Sequence, residues 1–407
     1  MYHRDPDGFG GLRLYCLWMF VPLAFEQTLR PYLQELARFE TLHELERSSV
    51  YRKLKPDIDR VLNYVWHEDL GAPVAASGTS VRAVAWNIER GIHLEGIIQS
   101  LREHPSLEQA DVLFLSELDW GMARTENRFV AQEIASALRM NYAFAPCYVA
   151  LTKGAGVEKR ANGENQESLH GNALLSRFPM RRVHSLALPN GKDKMQGAEK
   201  RIGSQRAVIA DIEHPSGIFR AVSLHLDAHS SQRHRYMQMC RVLDHLEGLD
   251  LRLPVLIGGD WNTTTHNASR ALYSILGYCR RVLMGVRHVV ANHYPYPDRW
   301  FERRLFLELE RRGYTYRDLN TAGECTLHYD VRDVAANLNM HEWVPNWCFW
   351  FINWALERTG GSCSMKLDWF AGKQIKPLAP AVGIRELTTG GKRVSDHDPI
   401  ALAFQIQ

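Results

Sequence analysis

The sequence is short of the features that would assign it quickly. No CxxC pair occurs, and the seven cysteines (Cys16, Cys147, Cys240, Cys279, Cys325, Cys348 and Cys363) are odd in number and scattered. That pattern argues against a disulfide framework or a zinc knuckle. It fits buried thiols in a reducing compartment, so a cytoplasmic location is expected. No long hydrophobic run is present near the N-terminus. The stretch 12–25 (LRLYCLWMFVPLAF) is too short for the roughly 20 residues a bilayer span needs, and it has no small-residue cleavage site. It reads as the start of a buried helix, against the alternative of a signal or membrane-surface role, and no transmembrane segment is expected. Charge of one sign is also scarce. A net charge of +3 and a pI near 8.4 permit an anionic substrate without demanding nucleic acid. Internal repeats and low-complexity tracts are missing. At 407 residues, 45% of them hydrophobic, the chain can build one large core or two smaller ones.

Two textures divide the chain. Up to about Leu70 it is helical in pattern: Leu29, Tyr32, Leu33, Leu36, Phe39 and Leu42 recur at three-four spacing, and Ile58, Val61, Leu62 and Val65 repeat it. Residues 71–80 are small and polar, as in a linker. Residues 1–78 are therefore expected to form a helical extension, and 79–407 the main domain. From Val81 short apolar runs recur at 81–86, 112–116, 142–146, 173–176, 207–212, 219–225, 255–258, 367–370 and 400–404. Helical patterns lie between some of them, at 95–101, 129–140 and 231–246. The expected fold class is α/β (α+β), with two packed mixed β-sheets flanked by helices.

Two kinds of segment interrupt this rhythm. Residues 151–170 and 188–204 are polar and basic, and read as solvated, mobile loops. Residues 285–362 form an aromatic-rich insertion, with an amphipathic pattern over 299–311. It reads either as a lid over a site or as a further buried subdomain. Its aromatics are expected in a core more than on a lipid- or base-binding face.

Polar groups of one kind follow the apolar runs. Asn87 and Glu89 follow VRAVAW, Glu117 follows DVLFLS, and His225 closes FRAVSLH. Asp260 and Asn262 follow PVLIGG, Asp368 sits in MKLDWF, and Asp396 and His397 stand in VSDHDPIAL. One such case is a cap or a turn. Six, all of metal-ligand or acid–base type, predict a face where strand ends converge. Glu117, with Glu89 or Asp396 and with Asn87, offers hard oxygen ligands that suit Mg²⁺ or Mn²⁺. His397 can act as a general base if Asp368 fixes its tautomer. Asp260 can align an attacking water, while Asn262 and His225 can donate to oxygens where charge builds up. Asn172 and Arg206 are candidate phosphate contacts, against a turn asparagine and an exposed strand arginine. Asp227, His229, His234 and His293 read as surface residues. With no evident covalent nucleophile, the set predicts metal-assisted attack of water on a phosphoester.

The order WNIER, SELD, HLDAH, GDWN, KLDWF, SDHDP resembles the endonuclease/exonuclease/phosphatase superfamily from about Val81 to the C-terminus. HGNALLSRFP at 170–179 and the Arg235/Gln238 spacing are similar to it as well. The resemblance implies a four-layer α/β sandwich and a divalent-metal phosphoesterase. It implies Glu117 as the main metal ligand, with Asn87 and Glu89 beside it and Asp396 facing the metal. Asp260 and Asn262 would position nucleophile and phosphate. His397, paired with Asp368, would serve as base or phosphate clamp, and His225 would stabilise the transition state or assist the leaving group. The substrate stays open at this point: a small phosphoester, a lipid headgroup, or DNA or RNA cut as by a nuclease. A catalytically inactive binding module on the same fold is the reading from another class.

Overall fold

The computed structural model describes residues 28–70, 78–228, 230–264, 271–330, 346–357 and 359–407. The apolar run at 12–25, Trp343 and His229 lie outside them.

Alternation along the strands explains the layers. In Ser80–Arg90, Val81, Ala83 and Ala85 face one way, and Val84, Trp86 and Ile88 the other. Val112–Trp120 repeats this with Val112 and Phe114 against Leu113 and Leu115. In the second sheet, Leu256 and Phe370 face inward, while Val255, Ile257, Trp369 and Ala371 face outward. Each sheet is thus apolar on both faces. One core joins the two sheets, and two more sit under flanking helices. The result is the four-layer mixed sandwich that the apolar runs anticipate.

Among the described residues the first sheet has nine strands, seven of them in the order Trp66–Glu68, Asn141–Ala150, Leu169–Ser176, Val112–Trp120, Ser80–Arg90, Ile400–Ile406 and Ile375–Pro377. Val382–Gly383 and Arg201–Gly203 join it at the sides. The second runs Asp368–Lys373, Val255–Asp260, Gly217–Ser223, Arg206–His214 and Met180–Ala187. All nine apolar runs are strands or lead into them; Trp66–Glu68 and Met180–Ala187 have no such signal. The helical patterns appear as Leu94–Glu103, Val130–Leu138 and Gln232–Glu247. Ser231 starts the last by accepting from the His234 N–H at 3.3 Å.

The N-terminal part contains the helices Leu33–Leu36, Leu42–Arg47 and Ser49–Asn63, the last two capped by Thr41 and Ser48. Leu36, Leu45, Leu54, Ile58 and Val61 are buried in the core that covers the first sheet. Lys200 ties the loop between the first two helices down by donating to the carbonyls of Ala37 and Phe39, both at 2.9 Å.

The two polar loops are solvated only in part: Lys159 and Arg160 are exposed, while other charges fold inward. Arg124, 2% exposed in its side chain, pairs with Asp119, Glu158 and Glu199. Lys194 pairs with Asp227 at 2.9 Å. Asp227 is therefore buried and not on the surface, and His293, in the later insertion, is buried as well.

Between Val255–Asp260 and Asp368–Lys373 the chain forms helices Ala271–Met284, Val286–Asn292, Arg303–Arg311 and Asn346–Glu357, with a ribbon of Leu327–Asp330 and Ser362–Met365. Leu305, Phe306, Leu309, Tyr314 and Tyr316 belong to the outer core of the second sheet. Arg235 and Glu302, both fully buried, bond through two nitrogens at 2.9 and 2.6 Å and hold this segment to Gln232–Glu247. The aromatics divide between fates. Tyr316 is core, whereas Trp300, Trp350 and Trp354 are exposed, against the expectation of a core.

Candidate active site

The two glycines before Asp260 are steric necessities. A Cβ on Gly258 would stand 2.6 Å from the Phe370 ring, and one on Gly259 (φ +136°) would stand 2.2 Å from the Leu224 carbonyl. The strand can therefore run between its neighbours to its end, where Asp260 lies directly opposite Asp368 on the antiparallel partner. The first sheet meets this point with two irregular strand ends. Its register shifts between Asn87 and Arg90 and between Leu115 and Leu118. Glu89, Arg90, Glu117 and Asn262 all have left-handed backbones, with φ of 46°, 65°, 58° and 49°. Non-glycine residues held this way gather where a side chain must be re-aimed for function.

Asp260 is the centre of the arrangement. Its Oδ2 accepts from Asn87 Nδ2 at 3.1 Å and Asn262 Nδ2 at 3.3 Å, and its Oδ1 from the Asn262 N–H at 2.8 Å. His225 Nε2 lies 3.5 Å and His397 Nε2 3.8 Å from the same Oδ2. Burial pushes the Asp260 carboxyl up to about 6, against the lowering pull of His397.

His397 is set from behind. Its Nδ1 meets Asp368 Oδ2 at 2.8 Å, and Thr326 Oγ1 donates to that oxygen at 2.6 Å. Burial works against its charge, yet Asp368 and Asp260 together hold the imidazolium well above the ordinary histidine range. Its main chain is fixed too, since Ser395 Oγ accepts the His397 N–H at 3.2 Å and donates to the Asn87 carbonyl at 2.7 Å. Trp86 Nε1 donates to the His397 carbonyl at 2.9 Å. His225 receives Gln205 Nε2 on Nδ1 at 3.4 Å, which leaves its Nε2–H facing Asp260 and Glu117.

Beside this group stand the carboxylates. Glu117 accepts from Asn87 Nδ2 at 3.1 Å. Burial opposes its charge, but Arg90, and then His225 and His170, hold it well below the usual carboxylate range. Glu89 accepts the Asp396 N–H at 3.1 Å. Burial first and then Asp396 push Glu89 up to about 8, and Asp396 is raised by burial and by Glu117. Carboxylates that crowd one another to this degree are what a divalent cation relieves, and an all-oxygen set suits Mg²⁺ or Mn²⁺. Among the described residues, the one group of three or more His, Cys, Asp or Glu side chains with ligand atoms all within 4.8 Å of one another is Asp260, Asp368 and His397. Asp368 and His397 are already hydrogen-bonded to each other there, whereas the donors on the Glu117 side are all oxygens, which suits a hard cation.

The structure thus brings nine expected residues together: Asn87, Glu89, Glu117, His225, Asp260, Asn262, Asp368, Asp396 and His397. The other two stand behind them. Asn172 is a buried strand residue, not a turn; it donates to the Arg206 carbonyl at 2.9 Å and accepts the Glu117 N–H at 3.4 Å. Arg206 is buried, not exposed, and turns its guanidinium to Ser185 at 3.0 Å and to Asn63 at 2.7 Å. Thr326, Ser395 and Gln205 were not anticipated. Only Ser395, next to DHD, carried any signal.

A model of the endonuclease/exonuclease/phosphatase family matches residues 84–397. The chain belongs to this family. Structures similar to it include an endonuclease/exonuclease/phosphatase from Beutenbergia cavernae DSM 12333, at 15% identity and a TM-score of 0.48, with 81% of this chain and 72% of that one covered. A D. rerio TDP2 humanised by 14 mutations matches at 13% and 0.44, with 81% and 100% covered. The human Nocturnin catalytic domain matches at 14% and 0.43, with 84% and 98% covered. No curated protein matches the sequence. The family match begins within Ser80–Arg90 and ends at His397 itself, so it takes in every residue gathered around Asp260.

Proposed function

We propose that the protein is a divalent-metal-dependent hydrolase of phosphoester bonds that uses water as its nucleophile. The observation that carries this reading is the convergence on Asp260 Oδ2 of two amide donors and two imidazoles from both sheets. Mg²⁺ or Mn²⁺, held by Glu117 with Asn87, Glu89 and Asp396 around it, would supply Lewis-acid stabilisation of charge on the phosphoryl oxygens.

The chain's own residues account for the proton and the geometry. Asp260 accepts the proton of the attacking water; a carboxyl at about 6 is a stronger base than an ordinary aspartate while still ionised at neutral pH. Asn87 and Asn262 hold the orientation of that carboxylate. His397, kept protonated by Asp368, presents Nε2–H to a phosphate oxygen and acts as a clamp more than a base. His225 presents its Nε2–H where negative charge develops.

The test is hydrolysis of plasmid DNA, single-stranded RNA, sphingomyelin, an inositol polyphosphate and bis-p-nitrophenyl phosphate, with Mg²⁺ or Mn²⁺ and with EDTA. At least one should be cut in an EDTA-sensitive way. Asp260→Ala should lower that rate by about 10²–10⁴-fold, the worth of a positioned base, with little change in melting temperature. No hydrolysis, together with no Mg²⁺ binding by calorimetry, would replace this reading with that of a binding module.

A further inference from the structure

The Ala271–Met284 helix carries no acidic residue. Tyr273, Leu276, Arg280, Leu283 and Met284 recur along it at three-four spacing and so share one stripe. All are exposed, Leu276 by 56% and Leu283 by 87%. In Asn346–Glu357 (NWCFWFINWALE), Trp350 (67% exposed) and Trp354 stand one turn apart, and the single charged residue is the terminal Glu357. Trp300 is exposed as well. Large apolar side chains this exposed mark a contact surface.

Its charge narrows the choice of partner. Arg280, Arg287, Arg299, Arg303 and Arg304 are exposed in the same segment. The acids from 271 to 304 are Asp298 and Glu302. Glu302 is buried against Arg235, and Asp298 accepts the Tyr316 hydroxyl at 3.3 Å and faces Arg317. The outward charge is therefore positive. Nucleic acid would use the arginines and the tryptophans but offers little to Leu276, Leu283 and Met284. A lipid bilayer uses all three kinds: hydrocarbon for Leu and Met, the interfacial zone for Trp and Tyr, and anionic headgroups for Arg. Among the described residues no helix is long and apolar enough to cross a membrane.

The chain after each helix returns to the edge of the candidate site. The Tyr294 carbonyl, just past Val286–Asn292, accepts the Lys366 N–H at 3.3 Å, two residues before Asp368. Asn346–Glu357 leads into Ser362–Met365, whose partner strand begins at Leu327, bridged to His397.

We propose that Ala271–Met284 and Asn346–Glu357 form a docking surface that lies in the interface of an anionic phospholipid bilayer. The proposal does not depend on hydrolysis, because binding is read with a variant unable to turn over.

The experiment is co-sedimentation of the full chain carrying Asp260→Asn with phosphatidylcholine vesicles and with vesicles that also contain phosphatidylglycerol. Binding is expected on the mixed vesicles, weakened by salt. Leu276→Ser with Leu283→Ser should reduce it about tenfold or more, from the lost apolar burial. Arg280→Glu with Arg287→Glu should reduce it selectively on the anionic vesicles. These positions are exposed, so the melting temperature should hold, and Trp350→Ser with Trp354→Ser gives an independent second variant. A folded chain that does not sediment with either vesicle overturns the proposal, as does binding indifferent to all three pairs. A stable dimer that the Leu276/Leu283 pair abolishes would show that the face joins two copies instead.

Discussion

Asp368→Asn isolates the charge behind His397. The replacement is close in shape and keeps one oxygen for the two donors, His397 Nδ1 at 2.8 Å and Thr326 Oγ1 at 2.6 Å. What it removes is the negative charge. At an effective dielectric near 20, unit charges about 3 Å apart attract by about 5 kcal/mol. A neutral hydrogen bond remaining in place returns about 1 kcal/mol, and relief from burying the carboxylate offsets more. The imidazolium should lose about 1.5–3 kcal/mol, which lowers the His397 pKa by about one to two units at 1.36 kcal/mol per unit. Long-range ¹H–¹⁵N correlation spectra across a pH series read this directly. The same change has a signature in stability. A histidine raised by folding contributes stability that is fully present below its unfolded value, about 6.5, and is lost as pH rises through its folded value. The deficit of Asp368→Asn should thus be largest near pH 5 and shrink at alkaline pH. An unchanged His397 titration, or a deficit that does not vary with pH, would refute the reasoning.

Two further perturbations follow from buried charges outside the site. Glu302→Gln leaves the Arg235 guanidinium buried without its counter-charge and should cost about 3–5 kcal/mol in denaturant unfolding. The double replacement Arg235→Met/Glu302→Leu should recover most of that; a double variant as unstable as the single one would count against the account. Lys366 is buried, with Nζ donating to the Thr321 carbonyl at 2.7 Å, and burial holds its ammonium down to about 8. A lysine depressed by folding carries a cost that is complete below the folded value and fades as pH rises to the unfolded one, about 10.4. Lys366→Met should therefore stabilise the protein by about 1–2 kcal/mol at pH 7, after the lost hydrogen bond, and the gain should vanish near pH 10.5. An equal gain at both pH values would show that the charge was not the cause.

Much of this architecture was legible in the sequence, and the exceptions have physical reasons. Nine apolar runs became nine strands because a two-faced sheet needs short, continuous hydrophobic stretches, and those are visible one residue at a time. The candidate site groups were legible because each stands at one end of such a run or within it. The residues that orient them were not. Thr326 reaches Asp368 from a ribbon forty residues away in sequence, and Gln205 reaches His225 from the start of another strand. A lone hydroxyl or amide carries no periodic signal. The polar loops misled for a related reason. Composition alone does not separate a solvated charge run from one folded inward, and here Arg124 with Glu158 and Glu199 could be recognised only once the partners were in contact. Arg206 likewise reads as an exposed strand arginine until Asn63, from the far N-terminal helix, is seen to hold it.

The facing of Asp260 and Asp368 also has a consequence for how the molecule comes together. Neighbouring strands are usually joined by a short turn, but here the whole of 261–367 intervenes. Bringing such distant ends into register costs chain entropy that no local contact repays, and non-local pairings of this kind form slowly. The Asp368–His397 pair additionally needs the segment that leads into the final strand. A nascent chain therefore holds Asn87, Glu117, His225 and Asp260 long before it holds the Asp368–His397 pair. Competence should arrive late and all at once, when Asp368–Lys373 and Ile400–Ile406 close onto sheets already formed.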